Sequence, residues 1–223
     1  VLDVGSGFGK HAEIFRHFGK EVSTCDMSER HNPDYLGNFL DISKQIPDSH
    51  FDCVWCSHVL EHTQNPGELL KELKRILKED GLLAITVPPM KHNIVCGHVG
   101  FWTAGLLLYN LVHVGFDCSE AIVREPPKHM YLANAKTGNN EFGDQNYDVS
   151  VLVKKRDICW TDEKIKELNE NYPWPDTTVH NGVLCMSGRG MRNLMQFFPK
   201  QIKWIPKGKQ GDVQFDGRVG NLG

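Results

Sequence analysis

Three glycines stand at alternate positions, Gly5, Gly7 and Gly9, directly after the apolar stretch Val1–Val4. A junction between a parallel strand and a helix needs a sharp turn, and a ligand can approach the backbone closely only where Cβ is absent. The helix that follows presents unpaired N–H groups to such a ligand. Two acidic residues recur at the ends of later apolar stretches: Asp26 closes EVSTCD and Asp41 lies at the end of YLGNFLDI. A carboxylate there can accept hydrogen bonds from both hydroxyls of a ribose. Parallel strands bring their carboxyl ends to one edge, where ligands bind. Glycines and acids together describe a nucleoside pocket. Imidazoles are the third group: His58 and His62 follow FDCVWCS, and His92 and His98 follow LLAITV. Histidine is the natural base or positioning group for a hydroxyl near neutral pH.

The elements that must position these groups follow from pattern. Val1–Val4, EVSTCD, YLGNFLDI, FDCVWCS and LLAITV read as five strands. Val1 already sits inside the first of them, so residues ahead of it are expected in the full protein. A helix is predicted over Lys10–Phe18, with Ile14, Phe15 and Phe18 on one face and Gly19 as its stop. A second begins at Pro66 with Asn65 as its cap, carries Leu69, Leu70, Leu73, Ile76 and Leu77 at helical spacing, and ends at Gly81. Alternating strands and helices predict a parallel sheet with helices on both faces. After Pro89 the pattern changes: FWTAGLLLYNLVHVGF predicts a helix, and CSEAIV and YDVSVLVKK two closing strands. A polar segment, 124–146, separates those two strands and is longer than most ordered loops. Beyond Asp157 no sheet pattern is visible. TDEKIKELNENY predicts a short helix capped by Thr161, within a mildly basic, irregular extension over 157–223.

The chain has 223 residues and a formal net charge of −3, which argues against a global positive field for nucleic acid. Seven cysteines at irregular spacing are no disulfide framework and point to a reducing, cytoplasmic compartment. Cys53 and Cys56 form a C-x-x-C, but within an apolar strand rather than at a helix start, which disfavours a redox or zinc pair. No apolar run approaches the ~20 residues of a membrane span.

Taken as a set over Val1–Arg156, the stretches LDVGSGFG, Asp26, FLDI and FDCVWCSHVLEHTQNPGELLKELKRILKEDGLLAITVP resemble the class I S-adenosylmethionine-dependent methyltransferases, in the small-molecule branch often called type 11. The resemblance implies an α/β fold over 1–156: a Rossmann-like, seven-stranded, mostly parallel sheet with helices on both faces and the last strand antiparallel. It implies S-adenosyl-L-methionine as cofactor. Position by position, Asp3, Gly5, Gly7 and Gly9 match the motif around the methionine part of the cofactor. Asp26, with Met27 beside it, matches the acidic residue on the ribose. Asp41, with the backbone at Ile42, matches the adenine contact, and Ser57 and His58 match the edge next to the reacting methyl. The helix that precedes the first strand in the family is not in this sequence.

The resemblance implies methyl transfer to a small-molecule or saccharide acceptor, at oxygen or nitrogen, with His58, His62 and His98 as candidate catalytic groups. Trp102, Phe101, Tyr109 and Tyr131 are candidates for an apolar wall on the acceptor side, and Trp204 in the basic tail for a partner contact. HVLEH also spells H-x-x-E-H, but it follows a strand and is soon broken by Pro66, which disfavours a peptidase. A related methyltransferase group acting on 2′-hydroxyls at small-RNA ends surrounds a magnesium-like ion with acids, a Glu-His pair and a later histidine. Glu61-His62 and His98 match part of that set, while His58 replaces an acid, which a hard cation disfavours, so no metal ligands are assigned. Three other readings remain open: a non-catalytic nucleoside-binding module that holds a partner, a metal-assisted RNA 2′-O-methyltransferase, and an NAD-dependent oxidoreductase, although the third glycine comes one place early for the dinucleotide fingerprint.

Overall fold

The computed structural model describes residues 1–88, 97–124, 148–171, 177–180, 183–186, 194, 196–200, 202–203 and 219–220. His92, Tyr131, Trp204 and most of the 124–146 segment lie outside them.

Strand β1 (Leu2–Val4) leads through the glycine turn into α1 (Lys10–His17), then β2 (Ser23–Asp26) and β3 (Tyr35–Leu36). A short helix α2 (Phe39–Ile42), β4 (Phe51–Ser57), α3 (Pro66–Ile76), β5 (Leu77–Val87) and α4 (Ala104–His113) follow. The sheet closes with β6 (Ile122–Arg124) and β7 (Val149–Lys154). Its order is β3-β2-β1-β4-β5-β7-β6. The first five strands run parallel, and β7 runs antiparallel to both β5 and β6. This is the seven-stranded, mostly parallel α/β sheet that the sequence predicts.

Apolar periodicity accounts for the packing. Leu2 and Val4 of β1 and Val54 and Cys56 of β4 are buried at the centre of the sheet. On α3, Leu69, Leu70, Leu73 and Ile76 are almost fully buried, and on α4 Leu107, Leu108, Leu111 and Val112 are inaccessible. Each such side chain contributes about 1.5–3 kcal/mol by leaving water. The Thr103 hydroxyl caps α4 by accepting from the Leu106 N–H at 3.2 Å.

Five expectations need correction. The third strand ends at Leu36 rather than running through Asp41, because Gly37, at φ +137°, turns the chain and the Asn38 side chain accepts from the Leu40 N–H to start α2. α3 stops at Ile76, not at Gly81: Leu77 is buried and pairs with Phe51, which draws the chain into β5 early through an irregular register. Asn65 precedes α3 but makes no capping bond with its side chain. Ile14 and Phe18 are exposed; α1 instead turns Ala12 inward and sets Phe15 edge-on to Trp55, 5.5 Å between centroids. The closing strand after Cys118 is shorter than expected, covering only Ile122–Arg124.

Beyond Asp157 the predicted helix forms as α5 (Asp162–Asn171), with Thr161 Oγ1 accepting from the Lys164 N–H at 3.2 Å. The expectation of no sheet there is corrected by two antiparallel pairs: β8 (Thr177–His180) with β9 (Val183–Met186), and β10 (Ile202–Lys203) with β11 (Val219–Gly220). Ile158, Ile165, Leu168, Leu194, Phe197 and Phe198 belong to the same apolar core as the sheet, and Trp160 Nε1 donates to the Val112 carbonyl of α4. These described residues of the extension therefore share one core with the sheet.

Arg75, in the last turn of α3, ties that helix to the loop after α2. Its guanidinium donates to the carbonyls of Ser43 and Ile46, to Glu72 and to Asp48. Glu72, which also accepts from the Ser43 hydroxyl, is held below its usual pKa chiefly by its bonds from Arg75. Arg75→Lys is expected to destabilise the chain by about 1–3 kcal/mol, because an ammonium cannot reproduce the planar fork and leaves acceptors unpaired. Urea denaturation followed by circular dichroism measures the loss; an unchanged midpoint would contradict this role.

Candidate active site

The carboxyl ends of β1, β2 and β4 meet at one edge of the sheet, and a cavity of about 750 Å³ opens there. Its floor is the glycine turn. The N–H groups of Gly5 and Ser6 both donate to the Cys25 carbonyl, at 2.8 and 3.0 Å, fixing the turn against β2. Gly5, Gly7 and Gly9 all have positive φ, a region open to glycine with little strain. At Gly5 close approach adds a second reason, since a Cβ there would overlap Val59 Cγ2.

Asp26 binds this turn directly. Its Oδ2 accepts from the Gly7 N–H at 2.9 Å, and its Oδ1 from the Ser28 N–H at 2.8 Å with His31 Nδ1 at 2.8 Å. Burial works against its ionisation, but the bonds from Ser28, His31 and Gly7 prevail and hold the carboxyl below its ordinary pKa. It is an anion throughout the neutral range. The edge of the His31 ring meets Phe8, 4.6 Å between centroids.

Of the expected cofactor residues, Gly5, Asp26, Met27 and His58 line the cavity. Asp3, Gly7, Gly9 and Ser57 stand beside it without lining it. Asp41 does not face it: its side chain is 77% exposed and lies 3.9 Å from Lys44. Ile42 is buried in the core. Both shifts follow from α2 replacing the end of the third strand. Gly37, Asn38, Phe39 and Leu40 form that wall instead, and Val59, Thr63, Gln64, Asn65 and Leu69 complete the far side. Sequence reading missed these; the Gly-Asn pair at 37–38, a turn signature, was the available signal.

Asp3 is 1% exposed on β1, and its Oδ2 has no hydrogen-bond partner among the described residues. Burial raises its pKa, against the opposing pull of His11 and the Ala12 N–H. The sign is clear: an acid raised on folding weakens stability as pH climbs from its unfolded value through its folded one. Asp3→Asn is thus expected to gain stability on the order of 1 kcal/mol at pH 7, and little at pH 3. Thermal melts at the two pH values measure it; equal shifts at both would refute the electrostatic account.

Two histidines, His58 and His62, also line the cavity. His58 follows β4 with φ +56° and donates its backbone N–H to the Thr86 carbonyl. Its Nδ1 lies 3.1 Å from Glu61 Oε1 and its Nε2 3.1 Å from Asp148 Oδ2. Hydrogen bonds to Asp148 and then Glu61 outweigh desolvation and raise its pKa to about 10. Both ring nitrogens are thus engaged by carboxylates, so His58 ties the turn after β4 to Asp148 at the start of β7, an arrangement that suits a positioning group better than the expected base. His62 lines the cavity, and its ring meets His98 edge-on at 4.9 Å between centroids. The backbone carbonyl of Glu61 accepts from the N–H groups of Val99 and Gly100, at 2.8 and 3.1 Å, which seats the His98 segment against this turn. Trp102 is buried in the core and lines no part of the cavity, nor do Phe101 and Tyr109. Cys53 and Cys56 are free and three apart on one strand; burial raises both thiols, which fits no redox pair.

Residues 2–85 match the family model of a methyltransferase domain. The chain is 34% identical over 105 residues to a ubiquinone biosynthesis O-methyltransferase of Glaesserella parasuis serovar 5 (strain SH0165), covering 39% of this chain and 44% of that protein. It is 30% identical over 103 residues to a sarcosine/dimethylglycine N-methyltransferase of Halorhodospira halochloris, covering 40% and 37%. The chain thus spans less than half the length of these curated relatives. Among solved structures, a SAM-dependent methyltransferase from Archaeoglobus fulgidus superposes with TM-score 0.54 at 19% identity, over 69% of this chain and 85% of that one. Residues 2–85 thus carry the likeness to a methyltransferase domain, and the sheet shares the fold of a SAM-dependent methyltransferase. Among the described residues, no helix is long and apolar enough to cross a membrane.

Proposed function

We propose that this chain transfers a methyl group from S-adenosyl-L-methionine to an oxygen or nitrogen of a small molecule or saccharide unit. The observation that carries it is the Asp26 carboxylate clasped to the Gly7 N–H at the head of a cavity of about 750 Å³, a size suited to a nucleoside-bearing cofactor. The residues fit that group: bare backbone at Gly5 admits close approach, and Asp26 is an anion with acceptor capacity left for ribose hydroxyls. Phe39 and Leu40 offer an apolar wall on the β2 side. The cofactor supplies an activated methyl on a sulfonium. The protein's task is to hold the acceptor in line, worth up to about 7–11 kcal/mol in favourable cases. His62 also lines the cavity and is the side chain that would receive a proton leaving an acceptor hydroxyl or amine.

Calorimetry with S-adenosylhomocysteine, followed by incubation of the chain and cofactor with pooled metabolites and glycans, tests this. Micromolar binding and a product heavier by one methyl are expected. Binding without any methylated product would favour a nucleoside-binding module, and binding of NADH that S-adenosylmethionine fails to displace would favour an oxidoreductase.

A further inference from the structure

One side chain in the turn after β4 has an unmet need. Glu61 is 0% exposed, and while its Oε1 meets His58, its Oε2 is buried with no hydrogen-bond partner among the described residues. A buried carboxylate oxygen without a partner is costly, and in folded proteins such an atom usually marks a water or an ion. Two imidazoles stand beside it. One carboxylate oxygen of Glu61 and one ring nitrogen each of His62 and His98 lie within 4.8 Å of one another. The pairing of Glu61 O with Val99 and Gly100 N–H builds that proximity into the backbone, so it does not rest on side-chain rotation alone.

We propose that Glu61, His62 and His98 bind a divalent transition ion at the edge of the cavity. Two imidazoles and one carboxylate suit a borderline ion such as zinc or manganese, and leave positions open; an oxygen-only ion such as calcium suits them poorly. Three ligand atoms about 2.0–2.2 Å from a common ion stand at most roughly 3.8 Å from one another, so the three draw together on binding. His62 is exposed, and its ring already meets that of His98. The Glu61–His58 contact then serves as the outer support, the His58 ring holding one carboxylate oxygen while the other faces the ion. Because His62 and Gly97 line the cavity, the open positions belong to the acceptor's end. An acceptor hydroxyl bound to the ion loses its proton to solvent more readily, and His62 acts as ligand in place of proton acceptor. This inference rests on the methyl-transfer reading and deepens it by favouring acceptors with an oxygen donor.

The test uses the full chain purified without chelators or a histidine tag. Elemental analysis is expected to find about one ion per chain, and titration with Zn2+ or Mn2+ to give a single site. Co2+ should develop visible d–d absorption. His98→Ala and Glu61→Gln are each expected to weaken the ion at least about tenfold, while His17→Ala, a surface control, leaves it unchanged. S-adenosylhomocysteine binding is measured on the same samples. Stoichiometric cofactor binding with no metal above trace, or equal metal affinity in His98→Ala and His17→Ala, overturns the metal site and leaves the methyl-transfer reading standing. Metal binding without cofactor binding has the reverse meaning.

Discussion

Asp26→Ala is expected to bind S-adenosylhomocysteine about 10- to 100-fold more weakly, the scale of about 1–3 kcal/mol for hydrogen bonds lost to a buried charged partner. The removed carboxylate does two things at once. It accepts from Gly7, which shapes the floor, and it faces the cavity, where ribose hydroxyls would meet it. Two variants separate these. Asp26→Asn keeps one acceptor oxygen and the shape of the side chain, and is expected to fall between the two. His31→Ala leaves both carboxylate oxygens in place but removes a partner of Oδ1 and the ring against Phe8, so its effect on affinity is expected to be smaller. The pH dependence follows from the depressed pKa: the folded-state bonds to Asp26 contribute stability that is present above its unfolded value of about 3.8 and lost as pH falls through the lower folded one. Affinity is thus expected to stay level from pH 8 to pH 5 as far as Asp26 is concerned. Unchanged affinity in Asp26→Ala would remove the nucleoside pocket from this edge of the sheet.

The sequence made the carboxyl edge of the sheet legible because strand, glycine turn and acid are local features with a fixed period. Leu2–Val4 and Phe51–Ser57 are apolar and short, and their burial follows directly from that. What was not legible depended on competition between neighbours. YLGNFLDI has the composition of a strand, yet Asn38 offers its own backbone a cap and Gly37 permits the turn, so a local hydrogen bond overrode β propensity. That one substitution of helix for strand carried Asp41 into solvent and put Asn38 to Leu40 on the cavity wall. The pairing of His58 was hidden for a different reason: its partners are Glu61, three residues away, and Asp148, ninety residues away across the sheet. No spacing rule announces a carboxylate brought in by an antiparallel closing strand. Likewise His98 reaches His62 only because the segment after β5 returns to bond the Glu61 carbonyl. Local chemistry was readable, and long-range pairing was not.

Gly5→Ala is expected to lower stability by about 2–5 kcal/mol and to abolish measurable cofactor binding. Two costs add. An L residue at φ +71° bears the left-handed penalty of about 1–2 kcal/mol. The new methyl also overlaps Val59 Cγ2, and Val59, being β-branched, has few rotamers into which it can retreat. Forced repacking of that kind costs about 1–3 kcal/mol. Because Val59 lines the cavity, the damage is transmitted to the ligand as well as to the fold. Gly7→Ala isolates the first cost, since φ there is +52° but no atom stands within 4 Å of the added Cβ. The double variant Gly5→Ala with Val59→Ala isolates the second: it is expected to be less destabilised than the sum of its single changes, because each removes the reason for the other's cost. Thermal melts and S-adenosylhomocysteine calorimetry on the four proteins resolve the terms. Should Gly5→Ala prove no worse than Gly7→Ala, the close packing of the turn against Val59 would be wrong, and with it the reason why the chain places a glycine at the first residue past β1.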